Sequence, residues 1–325
     1  MKKRFLSLSA ILGTSFLLLT GFDSAVTPES IMQDSMAAMQ NVSSFDIDAG
    51  FDMVLNIEMI TGSGEDAVPT SIGTGIGGNF GMKISEDMGM AMNMGMDVSA
   101  MGVKESMEMD MYAVPNAEAY DLYSYDSESG MWMYEQALAS EVKQTINEIM
   151  NTFTAVQGSG MSEEQLAGLD FVLSDELVTV NGVSCYELKT TLDSSDIAGT
   201  EDQIMDLFGQ SGMLTGDQEM YDSMMNGLHA DLTYYVAADT KMPVQIIMDM
   251  SQTDMSAYAD MMNDSLAQQM EGASEAEPVE TSVNVSIDPC MVTINMSFNN
   301  TPSITVPEEA IQGVQESESE VSSVN

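Results

Sequence analysis

The sequence has few positively charged residues. It contains 8 Lys and Arg against 52 Asp and Glu, and three of the basic residues are Lys2, Lys3 and Arg4. Nucleic acid is excluded as a partner, because binding it requires cations that neutralise phosphates. An anionic membrane surface should also repel a chain with a net charge of −44. We expect the acidity to serve solubility, with weak, delocalised cation binding as the alternative.

Side chains and motifs that carry catalysis are equally scarce. His229 is the single histidine, and the sequence has no Gly-x-Ser-x-Gly, Cys-x-x-Cys, His-Glu-x-x-His, EF-hand or phosphate loop. We expect His229 at the surface or at a helix end. Residues 121–128 are expected to form a charged hairpin tip, with weak calcium binding as the alternative. The sequence therefore predicts a protein that is not an enzyme and has no cofactor or metal site.

Only two cysteines are present, Cys185 and Cys290. In an exported chain they could form a disulfide, which would close a loop of roughly a hundred residues and add about 4–5 kcal/mol in the chain-entropy model. The bridge requires the two strands that carry the cysteines to be neighbours. Two buried free thiols are the other interpretation, and the sequence leaves both open.

Residues 1–22 have the pattern of a signal peptide. Lys2, Lys3 and Arg4 precede an apolar stretch from Phe5 to Leu19 that is too short for a typical membrane span. The following Leu-Thr-Gly resembles a bacterial lipobox, but Phe22 stands where the acylated cysteine would follow. We therefore predict export to the cell surface or the extracellular space without a lipid anchor. Release of the chain and tethering by an uncleaved signal are both consistent with this pattern.

Methionine is abundant, with 34 residues, and part of it follows a period of two. Met88, Met90, Met92, Met94 and Met96 alternate with small or polar residues, and Met107, Met109 and Met111 form a second alternating set. Successive side chains of a strand point to opposite faces of the sheet, so this period predicts two strands with their thioethers on one face.

The same period recurs elsewhere and defines the predicted fold class. Residues 45–59 alternate apolar and polar side chains over an unusually long strand, and Asn181-Gly182 fits a two-residue hairpin turn. Helical spacing is expected for 28–42, 138–153, 162–169, 200–208, 220–228 and, more weakly, 255–270. We predict an α+β protein: a large, curved antiparallel β-sheet, or half-barrel, with helices packed on its concave apolar face. Residues 27–312 form its single domain, and 313–325 are a disordered acidic tail.

Several short segments resemble LolA/LppX-like bacterial lipoproteins, in a Gram-positive cell-surface branch. The resemblance spans residues 27–310 and is carried by the opening helix to Phe45, Gly130-Met131-Trp132, residues 180–188, residues 239–244, and Phe298-Asn299-Asn300 with Val306-Pro307-Glu308-Glu309-Ala310. It implies a half-barrel whose concave side encloses an apolar cavity that carries lipids or lipoproteins. The absent lipobox cysteine and the excess of methionine depart from the family pattern.

The alternating methionines have three interpretations: ordinary core packing, the lining of a hydrophobic ligand cavity, or a soft-metal site for Cu(I). We predict a monomeric, exported carrier for a lipid or other hydrophobic small molecule. The alternatives are a copper-binding protein and a cell-surface structural or sensory module without a ligand. The predicted ligand-binding residues are Phe51, Met53, Leu55, Met82, Met88, Met90, Met92, Met94, Met96, Met107, Met109 and Met111.

Overall fold

A computed structural model of the chain describes residues 26–61, 68–117, 119–127, 129–155, 169–194, 196, 226–271 and 281–323. Two groups of predictions lie outside these residues. They are the signal peptide and nearly all of the helices predicted at 162–169, 200–208 and 220–228. The described part forms one open, curved antiparallel sheet with four helices, which is the predicted α+β half-barrel architecture.

Twelve described strands form this sheet in the order β6-β5-β4-β3-β2-β1-β12-β11-β10-β9-β7, and β8 pairs with β9. The strands are β1 Phe45–Thr61, β2 Val68–Ile84, β3 Met90–Ala100, β4 Val103–Asn116, β5 Ala119–Asp126, β6 Met131–Leu138, β7 Val172–Leu173, β8 Val178–Val180, β9 Val183–Asp193, β10 His229–Ala237, β11 Pro243–Asp249 and β12 Thr281–Phe298. The helices are α1 Pro28–Met39, α2 Ala139–Ala155, α3 Ser256–Glu271 and α4 Glu308–Ser323.

Two of the tight turns between strands contain pairs of residues with positive φ. Asn181 and Gly182 both have positive φ, 51° and 82°, as a two-residue hairpin turn of this kind requires, and the hairpin prediction is confirmed. Met101 and Gly102 make a similar turn between β3 and β4, with φ of 51° and 81°. Asp288 and Pro289 form a bulge within the continuous strand β12, and the bulge accommodates a proline that has no N–H to donate.

Helices α1 and α2 cover one end of the apolar face. Thr27 caps α1 through a capping box with Ser30, and Ile31 and Met32 are buried against the sheet. From α2, Phe153 stacks on Phe45 of β1 with ring centroids 4.6 Å apart. The main hydrophobic core therefore lies at the end of the sheet where β1 begins.

Helix α3 packs farther along the same face, whereas α4 packs on the other face. Met255, just before α3, is buried with Ile287 and Cys290 of β12. On the opposite, more polar face, Gly313 of α4 contacts Trp132 of β6. Helix α4 spans Glu308–Ser323, so it includes most of the segment for which the sequence predicts a disordered tail, and Ala310 in its first turn is buried.

The two cysteines do not form the possible disulfide. Both are free and buried. Cys185 lies on β9 and Cys290 on β12, so β10 and β11 separate them. The register also places Cys185 on the polar-face side of β9 and Cys290 on the apolar face with Met53. A disulfide requires Cβ atoms about 3.5–4.5 Å apart, which this placement does not allow.

None of the helices in the described residues has the length and apolar character that crossing a membrane requires.

Candidate functional site

The exposure of the apolar face rises along β3 and β4. Met90 at the start of β3 is 6% exposed, whereas Met94, four residues on, is 41% exposed. On β4, Ala113 is 1% exposed, and exposure reaches 37% at Met109 and 51% at Met107. Each of these two antiparallel strands therefore has one end in the helix-covered core and its other end in an uncovered apolar surface.

We call this uncovered surface the methionine face and define it by Met92, Met94, Met96, Met107 and Met109. The register pairs Met94 with Met109 and Met96 with Met107, while Met92 pairs with Met111. Directly opposed side chains of an antiparallel pair have Cβ atoms about 4.5–5.5 Å apart, so the thioethers form adjacent rows. The register shows that the two methionine sets lie on paired strands and share one face.

Four of the predicted ligand-binding residues lie at the covered end instead. Met90 is part of the main core, and Met82, Met88 and Met111 pack against it. Met88 also holds the turn before β3, because its backbone oxygen accepts a 3.0 Å hydrogen bond from the Tyr120 hydroxyl. Burial raises the pKa of Tyr120, which favours the protonated phenol that donates this bond. These four methionines therefore belong to the hydrophobic core beside the exposed surface and not to the surface itself.

The three predicted residues on β1 occupy a neighbouring part of the face. Phe51 lies against Gly78 of β2, where an added Cβ would come within 2.7 Å of the phenyl ring. Met53 and Leu55 pack against the cluster under α3. Strand β2 lies between these β1 residues and the methionine rows of β3.

Sequence reasoning missed apolar residues that extend the methionine face. Met131 and Met133 on β6 are exposed on the same face, and the register places the polar β5 residues Asp126 and Ser124 between them and the methionines of β4. Val103, the first residue of β4, is also exposed. Met131 and Met133 alternate around Trp132, so the period of two that identifies the other methionine sets applies to them as well.

Charged groups near this surface are mostly on the polar face of the same strands. Asp110 alternates with Met109 and Met111, and burial raises the pKa of its carboxyl, with Glu108 and Glu309 raising it further. Lys104 pairs with Asp97 at 3.2 Å on that side. On the methionine face itself, the register places two acidic residues next to the rows: Glu105, opposite Val98, and Asp126, opposite Met109. The methionine rows between these two positions carry no charge, and an apolar surface of this kind favours hydrophobic contacts.

The described residues offer little for metal or acid–base chemistry. Within the described ranges, no group of three or more His, Cys, Asp or Glu is placed to hold a metal ion. His229 lies 3.1 Å from Asp193, Nδ1 to Oδ1, on a partly exposed strand end. Cys290 is buried, and burial raises the pKa of its thiol to about 11, so the reactive thiolate is disfavoured.

Comparisons with known proteins give only weak structural similarity. No protein-family model matches the chain, and no curated protein matches it by sequence. Among solved structures, LprF from Mycobacterium bovis is 10% identical with a TM-score of 0.30, covering 86% of this chain and 95% of its own. A DUF1329 family protein from Desulfovibrio piger scores 0.20 at 11% identity, covering 87% and 95%.

A putative outer membrane lipoprotein-sorting protein domain from Vibrio parahaemolyticus scores 0.18 at 9% identity, covering 88% of this chain and 97% of its own. All of these scores are below 0.5, so the matches carry no argument about ligand or partner. The LolA/LppX-like resemblance and its Gram-positive branch stay predictions.

Proposed function

We propose that this protein is an exported, non-enzymatic carrier that binds a lipid or another hydrophobic small molecule on its methionine face. The supporting observation is the change along a single pair of strands from buried core at Met90 and Ala113 to exposed apolar side chains at Met94 and Met107. Folding alone does not require large apolar side chains there, and contiguous exposed apolar surfaces commonly serve binding.

The chemistry of methionine fits such a ligand. Its side chain is unbranched and polarisable, so a row of methionines adapts to a chain of variable shape better than branched side chains do. Paired rows on two strands give an elongated surface, and β3 continues for 11 residues. An acyl chain is elongated and flexible in the same way.

Titration of the full chain with a dansyl-labelled fatty acid tests this function. We compare the wild type with a variant carrying Met94→Gln, Met96→Gln, Met107→Gln and Met109→Gln, and with the matching set of leucine substitutions. Met291→Gln is the matched control, because Met291 is 40% exposed on the opposite face. We expect the glutamine set to weaken binding at least about tenfold, because it removes apolar contact area, while the leucine set and Met291→Gln retain it.

Two results would remove the proposal. The first is wild-type protein that neither carries a ligand in native mass spectrometry nor binds the dansyl probe, which is the outcome expected of a structural or sensory module. The second is equal binding by the glutamine set, because the probe would then bind elsewhere.

A Cu(I) site is the second candidate, favoured by the cross-strand pairs Met94–Met109 and Met96–Met107. Neighbouring thioethers are soft ligands that select Cu(I). The leucine set separates the two functions, because it keeps an apolar surface and removes all four sulfurs. The affinity for Cu(I) is measured by letting the protein compete with a chelator for the metal. If the metal function holds, the wild type should take Cu(I) from the chelator and the leucine set should not. Equal affinity of both proteins, or no binding by the wild type, would contradict the metal function.

A further inference from the structure

One edge of strand β12 is open over half its length. β12 has 18 residues. On one side it pairs with β1 throughout, but on the other side β11 pairs only with residues from Met291 to Asn295. From Thr281 to the bulge, the outer edge therefore has no neighbouring strand among the described residues.

Asn263 of α3 occupies one position on this edge in place of a strand. Its Oδ1 accepts the N–H of Val283 at 2.6 Å, and its Nδ2 donates to the carbonyl of Val283 at 3.1 Å. This amide thus mimics the two hydrogen bonds that a neighbouring strand would make. It also shows that the backbone groups of Val283 point away from β1.

Val285 and Ile287 must present their backbone groups on the same open side. In an antiparallel pair, the N–H and C=O of one residue point to the same side, and alternate residues point to the same side as each other. The register with β1 is regular from Thr281 to Ile287. In the part of the chain that the structure describes, no hydrogen-bond partner faces the outward groups of Val285 and Ile287.

A groove runs beside these groups. It has a volume of about 470 Å³ between α3 and the edge of β12 and is lined on the helix side by Ser256, Ala259, Asp260 and Asn263. These positions recur at three- and four-residue spacing, so they form one side of the helix.

Met255 and Tyr258 pack with Val285 and Ile287 and fix the helix on the sheet. The groove thus has a strand edge as one wall and a fixed helix as the other.

We propose that this groove binds an extended, positively charged segment of another protein, which adds a strand to β12 at Val285 and Ile287. Strand addition to an open edge provides main-chain hydrogen bonds, and the flanking side chains select the sequence. Asp254 and Asp260 line the groove, and none of its lining residues is basic. The chain carries a net charge of −44, so a Lys- or Arg-containing segment is attracted and an acidic one is repelled. This surface is distinct from the methionine face.

The probe is a fluorescein-labelled heptapeptide of alternating lysine and valine, titrated against the full chain and followed by anisotropy. Two control peptides keep its length: one has glutamate in place of lysine, and one carries an N-methyl group on every amide, so that neither of its edges can pair as a strand. Hydrogen exchange of the Val285 amide reports the position of binding. We expect fast exchange in the free protein, slower exchange with the lysine peptide, and no protection with either control.

Asp260→Lys is the test variant, because Asp260 is exposed and its substitution should not disturb folding. We expect it to weaken binding of the lysine peptide by about threefold to tenfold while leaving fatty-acid binding unchanged. Asp264→Lys is the matched control, because this exposed aspartate of α3 is not among the residues that line the groove.

Three results would overturn the proposal. If the N-methylated peptide binds as well as the lysine peptide, the attraction is electrostatic only. If the Val285 amide is already protected in the free protein, the chain fills its own groove. If Asp260→Lys and Asp264→Lys weaken binding equally, the peptide responds to the overall charge of the protein and does not bind in the groove. Fatty-acid binding is measured separately, so a failure here is distinguishable from a failure of the carrier function.

Discussion

Met90 and Met94 lie on the same face of strand β3, four residues apart, but in opposite environments. Met90 is 6% exposed beneath the helices, and Met94 is 41% exposed. Each faces a β4 residue in the same register, Ala113 for Met90 and Met109 for Met94. The difference therefore comes from what covers the strand and not from the strand itself.

Alanine substitutions of these two residues should have different effects on stability. We expect Met90→Ala to lower the free energy of unfolding by about 2–5 kcal/mol, because it leaves a cavity in the packed core. Met94→Ala should cost less than about 1 kcal/mol, since the side chain is partly in water already. Urea unfolding followed by circular dichroism measures both. Equal losses would mean that Met94 is also packed in solution.

The cysteines should behave as two inaccessible thiols. We expect a thiol-specific reagent to label neither in the native protein and both after unfolding, and reductant to leave the thermal midpoint unchanged. Burial raises the pKa of Cys290 to about 11, so at pH 8 only about a thousandth of this thiol is ionised. An intact mass that matches a bridged chain, reversed by reductant, would contradict this arrangement.

Helix α4 should depend on a small residue at position 313. A Cβ on Gly313 would come 2.5 Å from a ring carbon of Trp132, so Gly313→Val should displace α4 from the sheet. The chain contains one tryptophan, and its fluorescence should shift to longer wavelength as water reaches the ring. Gln312→Val is the matched control, because Gln312 is exposed on α4. A similar shift in both variants would assign the effect to loss of helix and not to the contact.

Asp121 should contribute to stability at neutral pH and less in acid. Hydrogen bonds from Gln136, Tyr134 and Asn116 lower its pKa, with Gln136 the largest cause. A carboxyl with a lowered pKa in the folded state stabilises the fold above its unfolded value, near 4, and this stabilisation is lost as pH falls through the folded value. The wild type should therefore be more stable than Asp121→Asn at pH 7, and the difference should shrink below about pH 4.

Urea midpoints of both proteins at pH 7, 5 and 3 test this dependence. Asp48→Asn is the control, because Asp48 is an exposed aspartate on β1. The stability difference between wild type and Asp121→Asn could persist unchanged at pH 3. It would then come from the packing or hydrogen bonding of the side chain and not from the charge of the carboxylate.

Local patterns were sufficient to predict the strands and their faces. The period of two in residues 45–59 and in the methionine sets fixed which side chains share a face, because a strand alternates its side chains. Asn181-Gly182 specified its turn, since both residues tolerate positive φ. Even the weakly periodic segment at 255–270 is helical, as α3.

Long-range placement was not predictable in the same way. Strand order could not be read from the local pattern, so nothing in the sequence showed that β10 and β11 separate Cys185 from Cys290. Asn263 looked like one more polar helix residue, and only the position of α3 beside β12 makes it a partner of Val283. The charge of the last residues suggested a solvated tail, whereas contact with Trp132 places the start of α4 on the sheet.

The sequence by itself determined that the methionines of β3 and β4 form one apolar surface, because alternation is a property of the strand alone. Only the tertiary structure decided which of them are core and which form the methionine face. That division depends on where α1 and α2 end on the sheet, and helix docking is set by contacts between residues far apart in the chain. Met90 and Met94 therefore have the same local pattern and different roles.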